Sequence, residues 1–145
     1  MKIIIEEPNT GEEDIIIVKC RHMTPELLRA INIIKMQEQA LIAYVGNEIY
    51  RVSPRDIYYI ETVDNKTFLY CEKKVYESKT KLYELLETLS GSNFLRVSKS
   101  VIMNLSKIKS LAPALSGRLE AVLMNNEKVI ISRQYVGELK KKLGI

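Results

Sequence analysis

The chain of 145 residues is poor in the side chains that metal sites and disulfide frameworks use. Its two cysteines, Cys20 and Cys71, lie far apart and form no CxxC pair, and His22 is the single histidine. Zinc ligands and disulfide-rich scaffolds need several such residues at short, regular spacing. We therefore expect no metal site, and two free thiols in a reducing cytoplasm.

Glycine-rich loops and long apolar runs are also missing. The six glycines occur singly, so the chain has neither a dinucleotide fingerprint nor a phosphate-binding loop. His22 lies in no motif that pairs it with a nucleophile and an acid. No apolar run approaches the roughly 18 residues of a membrane span, and the N-terminus has no secretory signal. We expect no catalytic residue, no enzyme activity, no cofactor and no membrane insertion.

Charge is distributed unevenly along the chain. Residues 1–45 hold five basic and seven acidic side chains, a net charge of −2, whereas residues 46–145 hold seventeen and eleven, a net charge of +6. A basic domain attracts polyanions, first nucleic acid and second an acidic membrane surface. On charge alone, a basic protein without such a partner fits equally well.

The first part of the chain predicts a β-β-α extension over residues 1–45. The Ile-rich runs 2–7 and 14–20 favour strands. Thr24, followed by Pro25, is typical of a capped helix start, and the apolar spacing predicts a helix that ends near Gln39. The extension has two interpretations: it packs on the second part, or it binds a second protomer or another partner through side chains such as Leu28 and Ile33.

The second part, residues 46–145, predicts a mainly β domain with two helices. Gly46 and Asn47 indicate a hairpin over residues 41–52. Leucines at helical spacing predict a helix over 80–91 that ends on Gly91, and Ser132 can cap a final helix. Short strands fill most of the remainder.

The stretch 94–108, FLRVSKSVIMNLSKI, alternates apolar residues with cations and small polar side chains. Apolar anchors can hold such a loop on a core while its polar side chains reach phosphates or base edges. A β-strand at the edge of a sheet would show a similar alternation, so the pattern alone leaves both interpretations open.

Four separated motifs resemble the LytTR domain, a DNA-binding domain of bacterial regulators: IYYIETVDNKTFLYCEKKVYES, FLRVSKSVIMNLSKIKSL, SGRLEAVLMNNEKVIISR and YVGELKKKL. The resemblance covers residues 46–145, and its most specific elements are Ser100 with Asn104, and the ISR before the last helix. It implies an elongated, mainly β fold with two helices that presents loops to successive grooves of DNA. The 45 preceding residues are too few for a receiver domain, so we expect a stand-alone regulator.

The resemblance also implies the residues of the site. Base contacts would come from three segments, and support of the loops or contacts with phosphates would come from five polar residues. Arg133 and Lys99 are also the long donors that can pair with guanine. The predicted base contacts are Asn65, Lys66, Thr67, Lys99 and Arg133. The predicted supporting or phosphate-contacting residues are Arg96, Ser98, Ser100, Asn104 and Lys107.

The sequence thus predicts a sequence-specific transcriptional regulator that binds double-stranded DNA at promoter repeats. We expect a homodimer, with a regulatory protein as a further partner. The competing hypothesis is a protein-interaction module that uses the same surface without specific DNA binding. An RNA-binding protein ranks lower, because the chain lacks paired aromatic stacking strands.

Overall fold

A computed structural model of the chain describes residues 1–90 and 92–145, and only the backbone of residues 36–38. The described residues form three α-helices and ten strands, so the predicted mainly β class is confirmed. The helices are α1 (Pro25–Glu38), α2 (Leu82–Thr88) and α3 (Arg133–Leu143). The strands are β1 (Leu41–Val45), β2 (Glu48–Val52), β3 (Ile57–Val63), β4 (Lys66–Cys71), β5 (Val75–Ser78), β6 (Phe94–Arg96), β7 (Val101–Asn104), β8 (Ile108–Pro113), β9 (Leu119–Leu123) and β10 (Lys128–Ile131).

The strands form two antiparallel sheets. Seven of them lie in the order β2-β1-β5-β4-β3-β7-β6, and the other three lie in the order β10-β9-β8. Asp64 and Asn65 both have positive φ angles, 50° and 60°, as a two-residue turn with the twist of a hairpin requires. Strand β7 was not predicted, because its four residues are apolar or buried without a clear alternation.

Two hydrophobic cores cover the two faces of the large sheet. Helix α2 packs on one face through Leu82 and Leu85, and Leu89, the residue after the helix, enters the same core. The three-stranded sheet and α3 cover the other face, where Leu139 is fully buried. Strands β3, β6 and β7 send side chains into both cores, so they form the centre of the molecule.

A β-bulge near the start of β3 changes the direction of one side chain. The pairing register with β4 shifts between Ile57 and Tyr59, and both Tyr58 and Tyr59 then contact the core under the small sheet. Strict alternation would expose one of the two tyrosines, but an inserted residue allows both to face the same side. Tyr59 stacks on Tyr70 with ring centroids 4.3 Å apart.

Helix α1 forms as predicted, but the two strands before it do not. The Thr24 hydroxyl accepts a hydrogen bond from the Leu27 amide at 3.2 Å and caps the helix. The predicted strands at 2–7 and 14–20 are wrong, since residues 1–24 are exposed and belong to neither sheet. The preference of isoleucine and valine for strands reflects how well their side chains pack on a half-buried pleated sheet. These runs have no neighbouring strand to pack beside, so the preference alone does not make them strands.

The predicted domain boundary after residue 45 falls inside a hairpin. Strand β1 pairs with β2 along its whole length and meets β5 through Tyr44 and Glu77. We therefore propose to divide the chain before Leu41. The predicted helix cap at Gly91 lies outside the described residues. None of the described helices combines the length and the apolar character that crossing a bilayer requires.

Truncation tests this division of the chain. A protein lacking residues 1–45 should unfold with a free energy about 2–4 kcal/mol lower than one lacking residues 1–40, as measured by urea denaturation. The longer deletion removes β1, and with it the fully buried Ala43 and the partner of the edge strand β2. The shorter deletion ends before Leu41 and leaves every strand in place. Equal stabilities of the two truncated proteins would contradict the boundary before Leu41.

Candidate nucleic-acid interface

The three segments predicted to read DNA lie together at one end of the large sheet. The Thr62 amide, next to the β3–β4 turn, donates to the Ser100 carbonyl at 2.9 Å. The Ser132 amide, at the start of α3, donates to the Val97 carbonyl at 2.8 Å. Backbone hydrogen bonds thus join the β3–β4 turn to the loop at residues 97–100, and that loop to the first turn of α3.

The β3–β4 turn presents two of its three predicted residues. Asn65 and Lys66 are exposed. Thr67, in contrast, is only 5% exposed, and its hydroxyl lies 3.3 Å from that of Thr62. A side chain bonded inside the sheet does not reach a base edge, so Thr67 leaves the set of candidate base contacts.

The loop at residues 97–100 is held by its own polar groups. The Arg96 guanidinium donates to the carbonyls of Ser98 and Lys99. The Ser98 hydroxyl accepts from the Ser100 amide at 3.3 Å, and the amide of Val97 donates to the carbonyl of Val101. The Lys99 side chain stands exposed at the tip. In this arrangement Arg96, Ser98 and Ser100 position the loop that carries Lys99.

Arg133 is the exposed first residue of α3. Ser132 occupies the cap position with an extended backbone, but its side chain makes no capping hydrogen bond; its carbonyl accepts from the Tyr135 amide instead. Gly117 lies beneath the Arg133 side chain: a Cβ at Gly117 would be 3.0 Å from the Arg133 Cδ. Gly117 also has a φ of +74°, which other residues rarely adopt.

An open groove of about 500 Å³ lies between the β3–β4 turn, the Lys99 loop and the start of α2. Among the described residues, its lining contains three cations and no acidic side chain. Because no described lining residue neutralises these cations, the groove can attract a phosphate backbone. The lining residues are Thr62, Asn65, Thr67, Lys81, Leu82, Tyr83, Arg96, Lys99 and Ser100.

Asn104 is a structural residue some distance from the Lys99 loop. It is 2% exposed, and its amide nitrogen donates to the Ile57 carbonyl at 2.8 Å. Its side-chain oxygen accepts from the amide and the hydroxyl of Ser106 at 3.1 and 2.7 Å. Ile57 precedes the bulge in β3, where the regular ladder is interrupted, so Asn104 supplies a partner to a carbonyl of the irregular strand.

Lys107 lies at the opposite end of the sheet from Lys99. Its ammonium is 4.9 Å from the centroid of the buried Tyr58 ring, a cation–π contact. It also lies near Cys71, whose thiol pKa is raised to about 11, chiefly by burial. The contacts of Lys107 therefore favour a structural role there, and we leave it out of the proposed phosphate contacts.

Sequence reasoning missed two residues of this surface. Lys81 lies at the start of α2, outside the recognised motifs, and Gly117 lies between β8 and β9, inside one of them but not among the predicted site residues. A lysine at a helix start is unremarkable by itself, and only the fold brings it to the groove. For Gly117, a glycine after Ser116 indicates a turn, but no sequence signal connects that turn with Arg133.

Together these features describe a mainly β domain that presents a basic groove and an exposed arginine at one end. The family model of the LytTr DNA-binding domain matches residues 47–144, so the chain belongs to the LytTR family. DNA binding and transcription regulation are the functions that this family indicates.

Solved structures agree with the family assignment. One matching structure is the LytTr DNA-binding domain of a Bacillus cereus protein described as a methyl-accepting/DNA response regulator. It is 25% identical to this chain, with a TM-score of 0.69, and the match covers 73% of this chain and 97% of that one. No curated protein matches the chain. The predicted LytTR-type β fold is confirmed.

Substitution of Asn104 tests its structural role. Asn104→Ala should lower the free energy of unfolding by about 1–3 kcal/mol, because the carbonyl of Ile57 and the polar groups of Ser106 lose a buried partner. Urea denaturation measures the change. As a control, Asn125→Ala removes another asparagine side chain and its hydrogen bond to the Glu127 amide, an exposed bond, and should cost less. An Asn104→Ala protein as stable as the parent would contradict the role.

Proposed function

We propose that this protein is a sequence-specific transcriptional regulator that binds double-stranded DNA and reads successive major grooves with its loops. One observation carries the proposal. Backbone hydrogen bonds at one end of the molecule join the β3–β4 turn, which carries Asn65, to the loop at residues 97–100, which carries Lys99, and that loop to the first turn of α3, which carries Arg133. The exposed donors of these segments, and the basic groove between the β3–β4 turn and the loop at residues 97–100, suit a polyanion that also carries base-specific acceptors.

The exposed long donors would read bases. Arg133 leaves a rigid helix end and can form two parallel hydrogen bonds with guanine, and Lys99 can contact the same acceptors. Asn65 and Lys66 would contact an adjacent part of the site from the β3–β4 turn. Lys81 would contact a phosphate, since it lines the groove beside Lys99.

The proposal includes a homodimer on promoter repeats, action in the cytoplasm and a regulatory protein partner. A dimer on two half-sites doubles the number of specific contacts, and its symmetry matches that of repeated operator sequences. We propose no catalytic residue and no cofactor. The competing interaction module without specific DNA binding has no observation that favours it over this function.

Salt dependence tests the electrostatic part of the proposal. The affinity for duplex DNA should fall steeply as salt rises, with log K losing about 0.9 per phosphate contact for each tenfold increase in salt. Lys81→Ala should reduce this slope by about 0.9 while the preferred sequence stays the same. Fluorescence anisotropy at several salt concentrations measures both quantities.

Lys73→Ala is the matched control for Lys81→Ala. It removes the same charge from an exposed lysine in the β4–β5 turn, at the other end of the large sheet. Its slope should equal that of the parent protein. An affinity of the parent protein that does not change with salt would refute DNA binding by this surface. Equal slopes for the two variants would refute the role of Lys81.

Selection of bound sites from random DNA tests the base contacts. Arg133→Ala should lose sequence information at one position of each half-site, because each bidentate arginine–guanine pair discriminates by about 1–3 kcal/mol. Arg133→Lys should not restore it, since lysine cannot form the planar fork. Lys99→Ala should lose information at a different position.

One outcome of the selection would contradict the assignment of Arg133 as a base contact. If the Arg133→Ala protein selects the same site with unchanged information at every position, merely at lower affinity, Arg133 contacts a phosphate and the assignment of base contacts is wrong. Gln134→Ala provides a control, because it changes the neighbouring exposed residue of the same helix turn.

A further inference from the structure

The first 24 residues expose an unusual amount of apolar surface. Ile15, Ile16 and Ile17 are 76%, 67% and 73% exposed, and the isoleucines of residues 3–5 are exposed to a similar degree. The segment belongs to neither sheet. Exposed chain rich in β-branched side chains can pair with another strand, and large exposed apolar patches mark interaction sites.

Helix α1 continues this apolar surface. Leu28 and Ile33 are each 48% exposed and Ile34 is 40% exposed. Ile31 and Ile34 of the helix line an open groove of about 470 Å³ together with residues of the run 14–18. The run and this face of the helix therefore present one surface, which the other described residues leave uncovered.

The charges of the segment oppose a hairpin within one chain. The Glu12 amide donates to the Asn9 carbonyl at 3.0 Å, which closes a turn around Gly11. A hairpin continued from this turn would place Glu7 opposite Asp14, and Lys2 opposite Lys19. Like charges directly opposite each other destabilise a strand pair.

The same charges favour antiparallel pairing of residues 14–19 with residues 14–19 of a second copy. A two-fold axis between Ile16 and Ile17 places Asp14 of each copy opposite Lys19 of the other, and Ile15 opposite Val18. Opposite charges then meet at both ends of an apolar centre. A two-fold interface must be complementary to itself, and the order of charges in DIIIVK meets this condition.

We propose that residues 14–19 form the dimer contact of this protein, as an antiparallel strand pair with a second copy, supported by the exposed face of α1. The proposal rests on the homodimer of the proposed function and locates its interface. Helix α1 lies at the end of the sheet away from Lys99, since Leu28 and Ile33 line a groove with Leu105 and Ser106. A dimer formed there leaves the loops proposed to contact DNA accessible.

Charge reversal tests the pairing, with sedimentation equilibrium of the full chain in the absence of DNA as the measurement. Asp14→Lys and Lys19→Asp should each raise the dimer Kd about tenfold, because each creates two like-charged pairs across the axis. The double variant Asp14→Lys with Lys19→Asp should return to within about twofold of the parent, since it exchanges the two charges and keeps them opposite.

Glu13→Lys is the matched control for Asp14→Lys. It makes the same change of charge one residue earlier, but its side chain points to the other face of the strand and meets Cys20 of the second copy. Its dimer Kd should stay within about twofold of the parent. Circular dichroism of each variant confirms that the β domain remains folded.

Three results would overturn the proposal. The first is a full chain that remains monomeric at a concentration of about 100 μM, which is well above the Kd of an ordinary dimer. The second is a dimer that both single reversals leave unchanged, which assigns the contact to α1 or another surface. The third is a double variant as weak as the single ones.

Failure of the proposed function would give a different result. Suppose that the dimer responds to these charge reversals but binds duplex DNA without sequence preference. This result would support the dimer interface and refute the proposed sequence-specific regulator. Conversely, a monomeric variant that still selects the Arg133-dependent half-site would support DNA reading independently of the dimer.

Discussion

The structure depends on a few central strands that are buried on both faces. In β3, Ile57 and Ile60 enter the core under α2, whereas Tyr58 enters the core under the small sheet. Strand β7 divides its side chains in the same way, through Ile102 and Met103. Strands fixed on both sides cannot slip or tilt without disturbing both cores. The β3–β4 turn and the loop at residues 97–100, which lie at the ends of these strands, are therefore attached to a rigid sheet. A binding site formed by loops requires such a rigid support.

Much of this arrangement could be predicted from the sequence, because its local signals are strong. The hairpin at Gly46, the cap at Thr24 and the strands with alternating apolar residues follow from short-range rules. The elements that escaped prediction depend on the second core. Strand β7 has buried residues on both faces and so shows no period of two. The runs before α1 show the reverse: high strand preference, but no neighbour within the chain to pair with.

The candidate site was predictable to the extent that it lies within the recognised motifs. Lys99 and Arg133 are exposed where the motifs place them, whereas Thr67 turns into the sheet. The hydroxyl pair of Thr62 and Thr67 explains this, because two threonines opposite each other on adjacent strands bond one another. Lys81 could not be found from sequence, since it approaches the groove only when α2 packs across the sheet.

The basic groove and the N-terminal helix lie apart in space. The basic groove lies between the β3–β4 turn and the Lys99 loop, while α1 lies beside Leu105 and Ser106, past the other end of β7. Helix α1 is thus directed away from the surface proposed to meet DNA. Four residues of β7 span about 13 Å, which exceeds the Debye length of roughly 8 Å at physiological salt. At that distance screening largely decouples charges on the two surfaces, so the proposed dimer contact and the proposed DNA contact can form independently.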